Sequence, residues 1–235
     1  GLGRKHVESL IDHPRVVAIE SVLRLAQNED CWVELRQCLT HRDPDIRGQA
    51  AWCLGYCPYT DEDRRAEVEQ ALKNALKEPD QRVVYNALLA LENLRAVELA
   101  NILPLQAHRS VSMRWVALRA TEVLPEVDGP ASMLMVATMV DPSRGPAERA
   151  LAARVLARST EPRVSGALIA MLREEIPILK QQAALSLGIL GDKAATTPLF
   201  QLLIDSDEHV RYAAGIALGR LGDSRTIPFL LKARR

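Results

Sequence analysis

The sequence repeats itself near its C-terminus, and this repetition constrains the fold more than any other feature. Residues 210–223 read VRYAAGIALGRLGD, and residues 179–192, which lie 31 positions earlier, read LKQQAALSLGILGD. A period of about 20–50 residues is typical of a solenoid, in which each repeat buries its apolar face against its neighbours. The chain is therefore predicted to be a stack of similar units.

The same register extends upstream through most of the chain. One anchor residue can be assigned to each repeat, at Ile46, Val83, Met113, Glu148, Leu179 and Val210. The fourth residue after each anchor is an alanine: Ala50, Ala87, Ala117, Ala152, Ala183 and Ala214. A small residue at one level of each helix lets neighbouring helices approach closely. Leucine follows one turn later in five repeats, and Thr121 replaces it in the sixth.

Each repeat is interpreted as two helices, A and B, joined by a turn rich in Pro and Asp. Segments such as Asp43-Pro44-Asp45 and Asp205-Ser206-Asp207 predict the starts of B helices, because Asp caps a helix and Pro is tolerated in its first turn. Gly191-Asp192 and Gly222-Asp223 predict helix C-termini. We predict an all-α fold, a right-handed α-solenoid of about seven helix pairs forming one domain over 1–235. The approximate repeats are 1–29, 30–60, 61–95, 96–128, 129–160, 161–192 and 193–223, with a partial repeat at 224–235.

Composition supports a packed helical protein. The 235 residues are 48% hydrophobic, and 30 basic residues balance 30 acidic ones, so a binding mode driven by bulk positive charge is disfavoured. No apolar run approaches the length of about 20 residues that a membrane span needs, and no signal peptide opens the chain. We expect a cytoplasmic protein. The start at Gly1 without Met, and an end at Arg235 that falls inside a predicted helix, predict a fragment of a longer protein.

The pattern D-x-x-V-R-x-x-A-x-x-A-L-G-x-L-G-D at Asp207 to Asp223 resembles the short HEAT-like repeats of the phycobilisome-lyase type. The resemblance is strongest in the last two repeats and weakest between Leu94 and Thr160. It implies the fold, but scaffolds, lyase subunits and adaptors share such repeats, so it does not select a function.

The residues two, six and ten positions after each anchor share one face of helix B, and we call these eighteen positions the B-helix stripe. In solenoids of this kind the corresponding face lines the concave groove. None of the eighteen is acidic. The stripe holds five of the nine aromatic residues of the chain, and four arginines: Trp52, Tyr56, Tyr85, Trp115, Tyr212, Arg119, Arg154, Arg158 and Arg220. These nine are the predicted partner-binding residues, since Trp, Tyr and Arg dominate interface hot spots. Packing between repeats is the alternative explanation for the aromatics.

Other features predict structural roles. Arg47, Arg114, Arg149, Lys180 and Arg211 follow their anchors directly, and we predict that they pair with turn aspartates in a ladder that ties repeats together: Asp43, Asp45, Asp80, Asp205 and Asp207. His13, His41, His108 and His209 lie at predicted turns and are expected to be solvated. Cys31, Cys38, Cys53 and Cys57 fall in one helix pair, where buried thiols are favoured over a zinc site.

The favoured function is a non-enzymatic scaffold or adaptor whose concave groove binds an acidic, or mixed apolar and acidic, segment of another protein. No catalytic, metal or cofactor motif is found. The alternative is an enzyme or enzyme subunit on a HEAT-like scaffold, either a bilin-lyase-like factor or a nucleobase-glycosylase-like binder of nucleic acid. Arginines beside stacked aromatics also suit single-stranded nucleic acid.

Overall fold

The computed structural model describes residues 31–222, together with 224, 227 and 228. The predicted first repeat (1–29), His13 and nearly all of the partial repeat 224–235 lie outside the described residues. Within the described part every regular element is helical and no strand occurs, so the predicted all-α class is confirmed.

Twelve α-helices alternate as A and B helices along the described part of the chain. The A helices are α1 (Cys31–Cys38), α3 (Glu62–Ala75), α5 (Leu99–Gln106), α7 (Pro130–Val140), α9 (Pro162–Met171) and α11 (Thr196–Leu202). The B helices are α2 (Pro44–Leu54), α4 (Gln81–Asn93), α6 (Val111–Ala120), α8 (Pro146–Leu156), α10 (Pro177–Leu190) and α12 (Glu208–Leu221). Short 3-10 helices occupy Thr121–Val123 and Lys193–Ala195. The chain is thus an all-α solenoid of helical repeats.

The chain divides into two compact units, residues 1–123 (unit 1) and 124–235 (unit 2). In unit 1 each A helix packs on the B helix that follows it, and the B helices α2, α4 and α6 stack in chain order. In unit 2 the helices α8, α10 and α12 stack in the same way. Consecutive B helices therefore form the layer in which the repeats meet.

The predicted alanine layer lies in this core. All six alanines are buried, and Ala50, the most exposed of them, shows only 3% of its surface. The leucines one turn later are also buried: Leu54, Leu91, Leu156, Leu187 and Leu218. Thr121 takes their place in α6's repeat and is buried too, since its Oγ1 donates to the Leu118 carbonyl at 2.5 Å. The exception therefore leaves no unsatisfied hydroxyl.

Backbone contact between B helices is closest at two glycines. A Cβ built on Gly55 would lie 2.5 Å from Cα of Ala90, and one on Gly188 would lie 2.6 Å from Cα of Ala217. Both glycines stand nine residues after their anchors, and both partner alanines stand seven residues after theirs. The same close approach thus occurs in both units, between α2 and α4 and between α10 and α12.

Candidate functional site

The turn between the A and B helices is closed by an arginine of the B helix in three repeats. Nη1 of Arg47 donates to the carbonyls of His41 and Arg42, at 2.7 and 3.2 Å. Arg114 and Arg211 make the same two bonds, to the carbonyls six and five residues before them. We call this contact the arginine bracket. It compensates the placement of a cation at the N-terminal end of a helix, because turn carbonyls surround the guanidinium.

The residues after the anchors also form the predicted ladder between repeats, but mostly with other acids than those predicted. Arg47 pairs with Glu78 at 3.0 Å, Arg149 pairs with Glu174, and Lys180 pairs with Asp205. Each acid stands five residues before the anchor of the next repeat. The side chain of the cation therefore reaches forward to the A–B turn of the next repeat. Asp205 is both a predicted turn aspartate and a ladder acid.

The remaining turn aspartates have local roles. Asp43, Asp80 and Asp207 accept hydrogen bonds from backbone N–H groups in the first turns of α2, α4 and α12. Arg82 bonds to the carboxylate of Asp80 and also reaches Asp45 in the preceding repeat. The hydrogen bonds from Arg82 lower the pKa of Asp80 to about 2. Within the described residues, these carboxylates therefore cap helix N-termini and do not pair with the cations that follow the anchors.

The turn histidines His41 and His209 are exposed, as expected, and His108 is half-buried. Nδ1 of His41 accepts from the backbone N–H of Asp43 at 3.0 Å, and Nδ1 of His108 accepts from that of Ser110 at the same distance. His209, which is the first-turn residue after Glu208 in α12, is exposed. These contacts tie His41 and His108 to the backbone of their own turns.

The aromatic residues of the B-helix stripe in unit 1 lie largely at the surface. Tyr56, Tyr85 and Trp115 are 42%, 37% and 38% exposed. Trp52 is half-buried, and its ring centroid lies 4.6 Å from that of Tyr56. The three exposed rings come from three consecutive repeats. Packing within the protein therefore explains the half-buried position of Trp52. It does not explain the exposed surface of Tyr56, Tyr85 and Trp115.

The stripe arginine of unit 1 is already paired. Arg119 donates from Nε and Nη2 to Oε2 of Glu92, at 3.1 and 2.7 Å. This charge-assisted contact raises the pKa of Arg119 above its ordinary value. Glu92 stands one position outside the stripe, which is why the count of stripe residues alone gave an excess of positive charge. The surface of unit 1 near Trp115 is thus an apolar ring beside a neutralised ion pair.

In unit 2 the predicted site residues are also exposed, but their chemistry differs. Tyr212 is 70% exposed, and Arg154, Arg158 and Arg220 are exposed as well. Nη2 of Arg158 donates to the carbonyl of Leu124, so this arginine also fixes local backbone. Ile189 completes the exposed stripe residues of α10. Unit 2 thus presents arginine and aliphatic groups with a single aromatic ring.

A cleft that the sequence did not reveal lies in unit 1, at the C-terminal ends of α2 and α4. Its volume is about 360 Å³, and its walls carry two tyrosines and two arginines but no acidic residue: Gly55, Tyr56, Cys57, Tyr59, Arg65, Asn93, Leu94 and Arg95. Tyr56 and Asn93 are also stripe positions, so the cleft adjoins the B-helix stripe. The other lining residues come from two repeats and are far apart in sequence.

Comparison with known proteins identifies the repeat. A family model for HEAT repeats matches residues 33–124 and 167–235. The chain belongs to the HEAT-repeat family. Between the two matched stretches, α7 and α8 form another HEAT-like helix pair whose sequence pattern is weaker. No curated protein matches the sequence.

Solved structures support the HEAT fold. YibA of Escherichia coli is 18% identical with a TM-score of 0.65, over 99% of this chain and 86% of that one. An archaeal HEAT-like repeat protein from Thermococcus onnurineus is 14% identical with a TM-score of 0.61, over 94% and 98%. A designed armadillo repeat protein is 16% identical with a TM-score of 0.60, over 80% and 98%. At these identities the likeness shows the fold alone.

The cysteines of this HEAT chain lie in and around its first described helix pair. Cys53 and Cys57 are buried, and Sγ of Cys57 donates to the Cys53 carbonyl at 3.5 Å. Cys38 is half-buried, and the side chain of Cys31 lies outside the described residues. Among the side chains that the structure describes, no group of three His, Cys, Asp or Glu could hold a metal ion. Metal-free thiols remain a prediction. No described helix is long and apolar enough to cross a membrane.

Proposed function

We propose that this HEAT-repeat chain is a non-enzymatic interaction scaffold that binds a segment of another protein. The aromatic part of the B-helix stripe in unit 1, formed by Trp52, Tyr56, Tyr85 and Trp115, is the proposed binding surface. HEAT repeats and the designed repeat proteins among the structural neighbours support a scaffold role.

One observation carries the proposal: three large aromatic side chains from consecutive repeats each expose more than a third of their surface. Tyr85 and Trp115 lie on α4 and α6, whereas Tyr56 lies in the turn just after α2. The exposed part of each ring can contact a partner while the covered part stays packed against the protein. Trp and Tyr are enriched among the residues that dominate protein interfaces, because they offer a large rigid area with few rotatable bonds. Because the three rings lie at related positions of successive repeats, an extended partner segment could contact several of them.

The expected partner segment is apolar or mixed apolar and acidic. In unit 1 the charge of Arg119 is met by Glu92, so apolar contact dominates around Trp115. In unit 2 the stripe offers Arg154, Arg158 and Arg220, and we propose that these arginines by themselves bind acidic groups of a partner protein. Their exposure predicts a contribution that weakens as the salt concentration rises.

The test is a selection of peptides from a phage library of random 12-residue sequences on the wild-type protein. Selected peptides should bind Trp115→Ala about 30-fold more weakly, which corresponds to the loss of about 2 kcal/mol that truncation of a hot-spot residue causes. The thermal midpoint of Trp115→Ala should change little, because the ring is 38% exposed. Leu103→Ala is the matched control, since Leu103 is 43% exposed and lies on helix α5 of the same repeat, outside the stripe.

The outcomes separate the possibilities clearly. Failure to enrich any peptide, or equal binding by wild type and Trp115→Ala, would remove the stripe of unit 1 as a peptide-binding surface. A large fall in the thermal midpoint of Trp115→Ala would make this residue part of the core. Binding of a single-stranded oligonucleotide that weakens steeply with salt would favour the nucleic-acid alternative.

A further inference from the structure

The walls of the cleft at the ends of α2 and α4 are held by hydrogen bonds to helix-end carbonyls. Oη of Tyr59 donates to the carbonyl of Leu54 at 2.7 Å, and Nη2 of Arg65 donates to that of Leu94 at 2.6 Å. Nδ2 of Asn93 donates to the carbonyl of Gly55. These bonds satisfy carbonyls that a helix C-terminus leaves without partners. The negative ends of both helices are therefore covered by donors of the cleft wall.

Arg95 has a different position in the cleft. Its side chain is exposed, and within the described part of the chain its guanidinium bonds to no carboxylate or carbonyl. Arg65, the other arginine of the cleft, already donates to Glu69 from Nε at 2.8 Å. Among the residues that the structure describes, Arg95 is thus the cleft cation that makes no ion pair within the fold.

The backbone of Arg95 shows that a different residue would suit the fold better. Arg95 has φ 54°, and among the described non-glycine residues it alone has a positive φ. The N–H groups of Arg95 and Ala96 donate to the carbonyls of Glu92 and Leu91, which closes α4 with a Schellman motif. Glycine usually occupies this position, because a side chain there is strained.

The repeat itself provides the comparison. Arg95 stands twelve residues after its anchor, and Gly191 and Gly222 stand at the same position of their repeats. Both glycines have a positive φ, of 73° and 70°, and end α10 and α12. Arginine at this position in the repeat of α4 therefore carries a conformational cost that glycine avoids. Strain of this kind is commonly found at functional positions.

We propose that this cleft binds the carboxylate of an Asp or Glu side chain in the partner segment, with Arg95 as its ion-pair partner. The inference rests on the proposed function, because the segment is the one bound on the aromatic stripe of unit 1. Tyr56 belongs both to the aromatic stripe and to the cleft wall. A segment bound across its ring therefore lies next to the cleft. The guanidinium plane of arginine matches a carboxylate with two parallel hydrogen bonds.

Charge and shape both favour a carboxylate over other groups. No acid lines the cleft, and Arg65 is paired with Glu69 outside the lining, so a cationic side chain would meet repulsion from Arg95. The tyrosine rings of Tyr56 and Tyr59 offer contact for the methylene groups of Glu. An uncharged side chain would leave the guanidinium of Arg95 partly desolvated without a partner, which costs affinity.

The experiment repeats the peptide selection with wild type, Arg95→Asn and Arg95→Glu. Asparagine tolerates the left-handed backbone conformation, so Arg95→Asn removes the cation and keeps the turn. Peptides selected by wild type should share an Asp or Glu at one fixed distance from their apolar residues. That preference should disappear with Arg95→Asn and change to Lys or Arg with Arg95→Glu.

A double-mutant cycle on one selected peptide measures the contact directly. Changing the conserved acid to its amide should weaken binding to wild type by about tenfold, as expected for a charge-assisted hydrogen bond. The same change should alter binding to Arg95→Asn by less than about twofold. Arg95→Gly should also lose the acid preference while its thermal midpoint rises, because glycine relieves the strain. This rise excludes unfolding as the cause of lost selectivity.

Two results would overturn the proposal and leave the proposed function intact. One is a set of Trp115-dependent peptides with no fixed acid, and the other is an acid preference that Arg95→Asn retains. If no Trp115-dependent peptide is enriched at all, the proposed function fails and the role of the cleft in it fails too.

Discussion

Unit 1 and unit 2 use the same repeat positions for different chemistry. On the B-helix stripe, unit 1 exposes the aromatic rings of Tyr56, Tyr85 and Trp115, whereas unit 2 exposes arginines and Ile189. The alanine layer, two positions along the chain from the nearest stripe residues, is buried in both units. The contrast shows that stripe residues vary without disturbing the layer in which the helices pack. A HEAT repeat thus separates the residues that stack it from those available for recognition.

The units also differ in how they use carboxylates. In the described part of unit 2 the pKa values of five carboxyls are lowered: Asp128, Asp141, Glu161, Asp192 and Asp205. Hydroxyl donors are the first cause for Asp128, Asp141 and Glu161, and Lys180 is the first cause for Asp205. In the described part of unit 1, hydrogen bonds from Arg82 lower the pKa of Asp80. We therefore expect unit 2 to lose more stability in acid than unit 1.

The largest expected effect concerns the ladder. Lys180 and Asp205 are more deeply buried, with 14% and 11% of their side chains exposed, than Arg47 and Glu78, with 15% and 31%. Lys180→Met should reduce the free energy of unfolding by about 2–3 kcal/mol, because it leaves a largely buried carboxylate without its cation. Glu78→Gln should cost less than about 1 kcal/mol. Urea unfolding followed by circular dichroism measures both, and equal losses would contradict the difference between the units.

Replacing the closely packed glycines by alanine should lower the free energy of unfolding by similar amounts in the two units. Gly55→Ala and Gly188→Ala each place a methyl group against the backbone of the next B helix and should cost about 1–3 kcal/mol. The matched control is Gly166→Ala in α9, where no atom of the described residues lies within 4 Å of the added Cβ. That variant should be stabilised by about 0.5–1 kcal/mol. A neutral Gly188→Ala would show that α10 and α12 are further apart than described.

The smallest effect is a difference in acid stability. A lowered pKa means that the unfolded state binds protons more readily, so the stabilisation is present above about pH 4 and is lost as the pH falls further. For Asp80 the loss extends down to about pH 2. All three tryptophans, Trp32, Trp52 and Trp115, belong to unit 1, so their fluorescence reports on this unit alone.

Circular dichroism reports on the helices of both units. During acid titration, the loss of the circular dichroism signal should therefore begin at a higher pH than the change in tryptophan fluorescence. Coincident transitions, or a tryptophan change that comes first, would contradict the greater dependence of unit 2 on its carboxylates.

The packing could be predicted well from the sequence alone, because the buried alanines and leucines recur at the same positions in each repeat. Ala183 and Leu187 were recognised as core residues from their spacing, and the exception at Thr121 was recognised from the same pattern. The ladder was predicted in outline, but its acids were misassigned. Aspartates in a turn can either cap a helix or bind a cation, and only the geometry shows which of the two occurs.

The candidate site was less accessible to sequence reasoning. The exposure of Trp115 depends on how far α6 is covered by its neighbours, which the register does not give. The pairing of Arg119 with Glu92 joins two repeats and lies outside the face that was counted. The cleft also joins two repeats, but Arg95 carried a signal: it stands at a repeat position where Gly191 and Gly222 occur.

The arginine bracket has a consequence for how such a chain grows. Arg211 bonds to two carbonyls of its own turn, so the repeat itself supplies both sides of this contact between its two helices. The ladder places a cation just after one anchor and its acid five residues before the next. A gene duplication that copies one repeat therefore copies its joint and both halves of the connection to adjacent copies. Lengthening by whole repeats is thus the change in this chain that needs the fewest compensating substitutions.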